Sequence, residues 1–352
     1  MRAVAITPKQ AHSARIIELP RPVAPRDGVL VRVLEIGVCG TDAELEGGHI
    51  GIAPPGDDFL VVGHESIGVV EEAGPEVKSL GRGDLVVAMV RRPDDCPNCR
   101  AGSSDMCVKG EYTERGIFSA HGFLAEYYAD RETFLVKLPL ELRGVGVLLE
   151  PLSVAVKAVR QAAEIQRRLL WEPRQVLVLG AGSLGLLAAF LLRLDGREVD
   201  VYSREARQSA RVALLERTGA RYFPAGETKF TSLGPYDFIF EATGSPRLTV
   251  GGVDLLRNNG VMAILGIASD LQPMQVPVGE INNRVVQKNQ LLFGSVNANR
   301  RDFDQGVLNL AAIEQRWPGL LAALLSRREP LDQFRRALDR SEEDIKVLLE
   351  VS

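Results

Sequence analysis

Apolar and polar positions divide this chain into two textures. Up to about residue 140 the apolar positions come in short alternating runs cut by Gly, Pro and Asp, as at 29–36, 66–72 and 84–90. That pattern predicts short β-strands in an irregular, mostly β domain. From residue 174 apolar runs of strand length alternate with segments of helical spacing: 176–179, 184–194, 199–202 and 206–217. Strand-like runs at 237–240, 262–265 and 291–294 continue the alternation, which predicts a doubly wound parallel sheet. A helical segment follows residue 297, and 345–351 reads as a last strand. The fold class is therefore α/β. A length of 352 residues exceeds one ordinary core. The expected division is a β-rich domain from 1–160 and 300–352, with a second domain, 161–299, inserted between.

Composition narrows the partners. The formal net charge of -4 leaves no basic footprint for nucleic acid or an anionic membrane, so a small molecule is expected instead. The most apolar stretch, 184–192, is about half of the roughly 20 residues a membrane span needs, and Arg193 closes it. The first 30 residues lack a basic start leading into an apolar core, so a cytoplasmic location is expected. A homo-oligomer, dimer or tetramer, is also expected. Three of the four cysteines lie close together, which in a reducing compartment points to metal binding more than to disulfides.

The run Gly180-Ala181-Gly182-Ser183-Leu184-Gly185 follows an apolar strand and opens a helix. Gly180 allows the tight turn, Gly182 the approach of a pyrophosphate, and Gly185 close packing of helix on strand. Ser183 and Leu184 begin the helix, whose amino end offers unpaired N–H groups and a positive dipole to phosphates. Binders of NAD carry an acidic residue about 20 positions later, on the ribose hydroxyls. Here the strand 199–202 is followed by Ser203 and Arg204. A hydroxyl and a guanidinium suit a 2′-phosphate, so NADP is expected over NAD. A strand one or two residues longer would turn Glu205 to the ribose, favour NAD, and leave the phosphate to Arg207.

Cys96, Cys99 and Cys107 form C-x2-C-x7-C in a stretch rich in Asp, Pro and Gly. Loop thiolates at this spacing wrap one Zn²⁺, and the metal orders a loop with little apolar content. Asp94, Glu111, Glu114 and a water are the candidates for the fourth position. Elsewhere Cys39-Gly40-Thr41-Asp42, Gly63-His64-Glu65 and Glu150-Pro151 supply a thiolate, an imidazole and carboxylates. Such a set suits Zn²⁺ with one position open. A catalytic zinc beside a nicotinamide implies alcohol or carbonyl redox chemistry.

Taken together, CGTD at 39–42, GHESIGVV at 63–70, the cysteine loop, Glu150-Pro151 and GAGSLG at 180–185 resemble the zinc-dependent medium-chain dehydrogenase/reductase family. Val90-Arg91-Arg92, Gly110-Glu111, Glu114, Gly116-Ile117, His121-Gly122-Phe123 and Glu150-Pro151-Leu152 make its archaeal-type glucose dehydrogenases the most similar subgroup. The resemblance implies a GroES-like catalytic domain beside a Rossmann domain. It implies zinc ligands at Cys39, His64 and Glu150, Glu65 as an exchangeable ligand, and Thr41 as the hydroxyl that relays the substrate proton. It also implies sugar contacts at Glu114, Glu150 and Asn297. The expected reaction is oxidation of an aldose at C1 to its lactone, with the alkoxide stabilised by zinc and hydride passing to NADP⁺. The nearest alternative is a polyol or secondary-alcohol dehydrogenase of the same family, since fold and zinc alone do not set the substrate. Two departures bear on this. Some relatives carry a further cysteine where this chain has Pro93, and some glucose-specific ones place Asn and Asp where it has Val90 and Val154. A sugar hydroxyl left unsatisfied against valine is costly, so the accepted hydroxyl pattern can differ from that of glucose.

Overall fold

The computed structural model describes residues 1–268 and 271–351. Its chain forms two compact units, Met1–Ser153 with Asn297–Ala311 and Leu321–Ser352, and Val154–Val296 with Ala312–Leu320.

The first unit is built on a seven-stranded sheet around the strand Gly28–Val38. Glu65–Ala73 and Lys346–Glu350 flank it, both antiparallel. Beyond these lie Leu85–Ala88 and Leu135–Leu138 on one side and Leu325–Pro330 on the other, and Tyr127–Arg131 also pairs with the central strand. Its inward positions, among them Val31, Val33, Ile36, Val70, Val86, Val347 and Leu349, pack with Phe123 into one core. Each such side chain contributes about 1.5–3 kcal/mol on burial. The register is what places the chemistry. Gly37 lies opposite Glu65, and Val38 opposite Val347, so Cys39, Glu65 and Lys346 gather at one end of the central strand. A Cβ at Gly37 would sit 2.2 Å from Glu65 Oε2, so only glycine leaves that carboxylate its room.

The second unit is a six-stranded, all-parallel sheet. From edge to edge its strands are Arg221–Pro224, Glu198–Ser203, Gln175–Leu179, Tyr236–Glu241, Leu256–Ile264 and Leu291–Gly294. The chain thus begins at the centre and winds outward in both directions, which makes a switch point beside Gln175–Leu179. Val176, Leu177, Val178 and Leu179 are all buried, as a strand covered on both faces requires.

Two elements differ from the sequence reading. The helix expected at 206–217 is Ala210–Thr218, because the Ser209 hydroxyl caps it by accepting the Val212 N–H, and Gly219 in the left-handed region ends it. The strand expected at 262–265 is Leu256–Ile264. Its first half, Arg257-Asn258-Asn259-Gly260, reads as a turn, and a register shift opposite Tyr236–Phe238 accommodates it with Asn259 at positive φ. Among the described residues no helix is long and apolar enough to cross a membrane.

Candidate active site

Cys39 caps the amino end of the short helix Gly40–Glu46, and the Asp42 carboxylate accepts the Cys39 N–H at 2.9 Å. Gly63, at φ +85°, turns the chain into the strand Glu65–Ala73 where a Cβ would lie 2.8 Å from Leu124 Cβ. These two backbone devices bring Cys39 Sγ to 3.1 Å from His64 Nε2. The ligand atoms of Cys39, His64 and Glu65 all lie within 4.8 Å of one another. Glu150, second residue of the helix Leu149–Ile165, is buried and outside that trio. Its pKa is pushed up to about 7, first by burial, with Glu65 and Glu114 adding to the rise and His64 and Lys346 opposing it. Burial works against a charged His64 as well, but the Cys39 thiolate and Asp42 outweigh it and hold the imidazole well above its ordinary pKa. Thr41 is half-buried in the first turn of its helix, and among the described residues its hydroxyl has no hydrogen-bond partner.

The donor set fits Zn²⁺, which takes thiolate, imidazole nitrogen and carboxylate oxygen. His64 Nδ1 is buried without a hydrogen bond, 3.8 Å from Asp42 Oδ1. Metal-ligating imidazoles commonly direct that second nitrogen at a carboxylate. Glu65 differs from the others because Lys346 Nζ donates to both its oxygens, at 2.7 and 2.6 Å, with both side chains almost fully buried. A carboxylate already held by an ammonium is a weak metal ligand.

In the cysteine loop Asp94, Cys96, Cys99 and Cys107 also place their ligand atoms within 4.8 Å. Asp94 Oδ2 is 2.8 Å from Cys107 Sγ, while the N–H groups of Cys99 and Gly110 donate to the sulfurs of Cys96 and Cys107. The other two carboxylates are elsewhere. Glu111 is exposed and 3.5 Å from Lys109, and Glu114 is paired with Arg91. Asn297, held at φ +61°, donates from Nδ2 to Glu114 Oε1 at 2.8 Å.

In the second unit Gly180, at φ +102°, ends the strand Gln175–Leu179, and Gly182 caps the helix Ser183–Leu194. A Cβ at Gly185 would lie 2.1 Å from the Gly180 carbonyl oxygen, whereas one at Gly182 would meet nothing within 4 Å. The turn is therefore closed on the helix side and open over Gly182, with Ser183 and Leu184 half-buried behind it, a cradle that fits a pyrophosphate. The strand Glu198–Ser203 runs one residue beyond the 199–202 expected, yet Glu205 is not left free to face the ribose. Glu205 is then taken by Arg211 at 2.8 Å and Arg207 by Glu227 at 2.7 Å. Arg204 is exposed and has no ion pair among the described residues.

Residues 25–140 match the alcohol dehydrogenase GroES-like domain, and residues 143–351 match the glucose dehydrogenase C-terminus. The chain belongs to the glucose dehydrogenase family. It is 45% identical to glucose 1-dehydrogenase of Methanocella arvoryzae, over 100% of this chain and 99% of that one. It is 39% identical to that of Thermoproteus tenax, again over 100% and 99%. Among solved structures, Haloferax mediterranei glucose dehydrogenase in complex with NADP, Zn and gluconolactone matches with a TM-score of 0.92 and 34% identity, covering 100% of this chain and 99% of that chain. The GroES-like and Rossmann fold and the membership read from the motifs are thus borne out.

For this glucose dehydrogenase family member, the sequence motifs do not point to Lys346 or to the pairings of Asp42 and Arg91. The lone cation in the apolar strand Lys346–Glu350 was a usable signal, since a lysine buried there demands an anion.

Proposed function

We propose that the protein oxidises an aldose at C1 to the lactone with NADP⁺: C1 loses hydride to the nicotinamide, and the C1 hydroxyl loses a proton. One observation carries this reading. In a chain of this family, Cys39 and His64 meet at 3.1 Å, next to Glu65 and a buried Glu150. Cys39, His64 and Glu150 would hold the catalytic zinc, with Glu65 as an exchangeable ligand. Zn²⁺ bound there supplies Lewis acidity toward the substrate oxygen, and bound NADP⁺ supplies the hydride acceptor. Thr41, whose hydroxyl is unengaged, relays the proton away from the sugar. Glu114 and Asn297 orient sugar hydroxyls.

The first unit thus holds metal and sugar, and the second holds the dinucleotide through Gly180, Gly182, Ser183, Leu184 and Gly185. Ser203 and Arg204 take the 2′-phosphate; the capture of Glu205 by Arg211 supports NADP over NAD. Asp94, Cys96, Cys99 and Cys107 hold a structural zinc. A homo-oligomer, dimer or tetramer, is supported by the helix Val278–Lys288, which buries no residue, and by the edge strand Leu291–Gly294 that follows it in the chain. Val278, Val286 and Leu292 are exposed on them, an apolar face that a second copy would cover. The clustered thiols and an NADP cofactor fit the reducing cytoplasm. Initial rates with a panel of aldoses and polyols, each with NADP⁺ and NAD⁺, test the reading. An aldose with NADP⁺ should lead, with lactone as product; oxidation of polyols alone would overturn it.

A further inference from the structure

Arg91 is almost fully buried and faces Glu114 directly, as its cross-strand partner between the strands Arg91–Arg92 and Thr113–Arg115. Both of its contacts fall on one oxygen: Nε and Nη2 lie 2.9 and 2.8 Å from Glu114 Oε1. Asn297 Nδ2 donates to that same atom at 2.8 Å, so Oε1 takes two hydrogen bonds beside the close Nη2. Oε1 is thereby saturated, and among the described residues Oε2 has no donor at all. The guanidinium cannot drift toward Oε2. Its carbon sits 3.7 Å over the Tyr112 ring, and Nη1 donates to the Asp105 carbonyl at 3.3 Å. Asp105 Oδ1 in turn accepts from Asn299 Nδ2 at 2.8 Å. With the backbone from 297 to 299 these bonds close a ring through Arg91, Glu114, Asn297, Asn299 and Asp105, so that segment is pinned at two points.

We propose that Arg91 is a specificity-determining positioning residue: it aims Glu114 so that Oε2 is the single open acceptor for one sugar hydroxyl. This rests on the reading that Glu114 faces the sugar. A carboxylate oxygen offered as an acceptor and fixed in one place rewards a hydroxyl at one ring position and orientation. It penalises an aldose that lacks that hydroxyl or carries it inverted, because Oε2 is then left without a donor from the sugar. Without the fork, Glu114 can rotate, either oxygen can turn to the sugar, and that discrimination is lost while the reacting end of the site is untouched. Lysine restores the charge but not the two-pronged geometry.

The test compares wild type with Arg91→Met, Arg91→Lys and Glu114→Gln on a panel of monodeoxy and epimeric aldoses. For each, kcat and KM are measured, together with zinc content and the Kd of NADP⁺. In Arg91→Met, discrimination at one hydroxyl position should fall about tenfold or more. The loss should come from a higher KM for the favoured aldose, with zinc content and NADP⁺ binding unchanged. Arg91→Lys should show a smaller loss at the same position, and decides the matter if Arg91→Met does not fold. Glu114→Gln should disturb that same position. If Glu114→Gln does so and both Arg91 variants keep the wild-type pattern, the role of Arg91 is overturned while the sugar contact stands. If Glu114→Gln leaves the pattern unchanged, the sugar contact itself fails, and the role of Arg91 with it. A uniform loss across all aldoses also overturns the proposal.

Discussion

Lys346→Met isolates the ion pair beside Cys39 and His64. Lys346 Nζ is the donor to both oxygens of Glu65, and the side chains are 1% and 3% exposed. In metal-free protein the substitution strands a buried carboxylate, which costs about 3–5 kcal/mol. In zinc-loaded protein the bound cation would stand in for the missing ammonium beside Glu65, and most of that cost would be recovered. The metal-free form should therefore lose much more stability than the loaded form. Since binding and stability are linked, zinc affinity should rise by the same difference, where about 1.4 kcal/mol is tenfold. Thermal melts with EDTA and with saturating Zn²⁺ read the first effect. A loss of about 3 kcal/mol corresponds to roughly 6–12 °C for a domain of about 150–250 residues. Chelator competition reads the second, with at least about a tenfold tighter Kd expected. Equal losses in both forms with unchanged affinity would refute competition between Lys346 and the metal for Glu65.

Three further substitutions probe other parts of the site. The Glu150 pKa of about 7 in the folded, metal-free protein lies above its ordinary 4.5, so its protonated form adds stability that is full below about pH 4.5 and lost as pH rises to about 7. Denaturant midpoints of EDTA-treated protein should fall across that window in wild type and fall less in Glu150→Gln; parallel slopes would argue against it. Arg204→Ala should lower kcat/KM for NADP⁺ about tenfold or more, one charged hydrogen bond's worth, and leave NAD⁺ nearly unchanged; equal losses with both would mean that Arg204 does not read the phosphate. Cys107→Ala should remove one zinc per chain and keep the other, and an unchanged metal content would remove the structural site from the account.

Much of this was legible because the informative residues sit in local patterns. The apolar runs at 176–179 and 199–202 and the glycine motif between them lie within a short stretch, and each is shaped by its own neighbours. CGTD and GHE likewise carry their backbone requirements with them: a cap at Cys39 and a positive φ at Gly63. What escaped depends on pairing across the chain. Lys346 meets Glu65 281 positions away, and only the register through Gly37 and Val38 brings them together. Arg91 and Glu114 lie on strands of two and three residues, too short for alternation to show. In sequence Asp94, Glu111 and Glu114 are all candidate companions of the three cysteines, with Asp94 and Glu111 ahead of Glu114. The folded loop separates them, since Glu111 lies near Lys109, Glu114 bonds Arg91, and Asp94 alone lies with the sulfurs.

The central claim is that Cys39 belongs to a metal site that works in turnover more than in folding. Its cluster draws on separate segments of a large core that packs without it. Zinc content, melting temperature and NADP⁺-dependent aldose oxidation of Cys39→Ala test it together. Cys39→Ala should hold one zinc fewer per chain, with turnover abolished and a melting temperature within a few degrees of wild type. Aldose oxidation retained at the wild-type rate in a variant that has lost that zinc would contradict it.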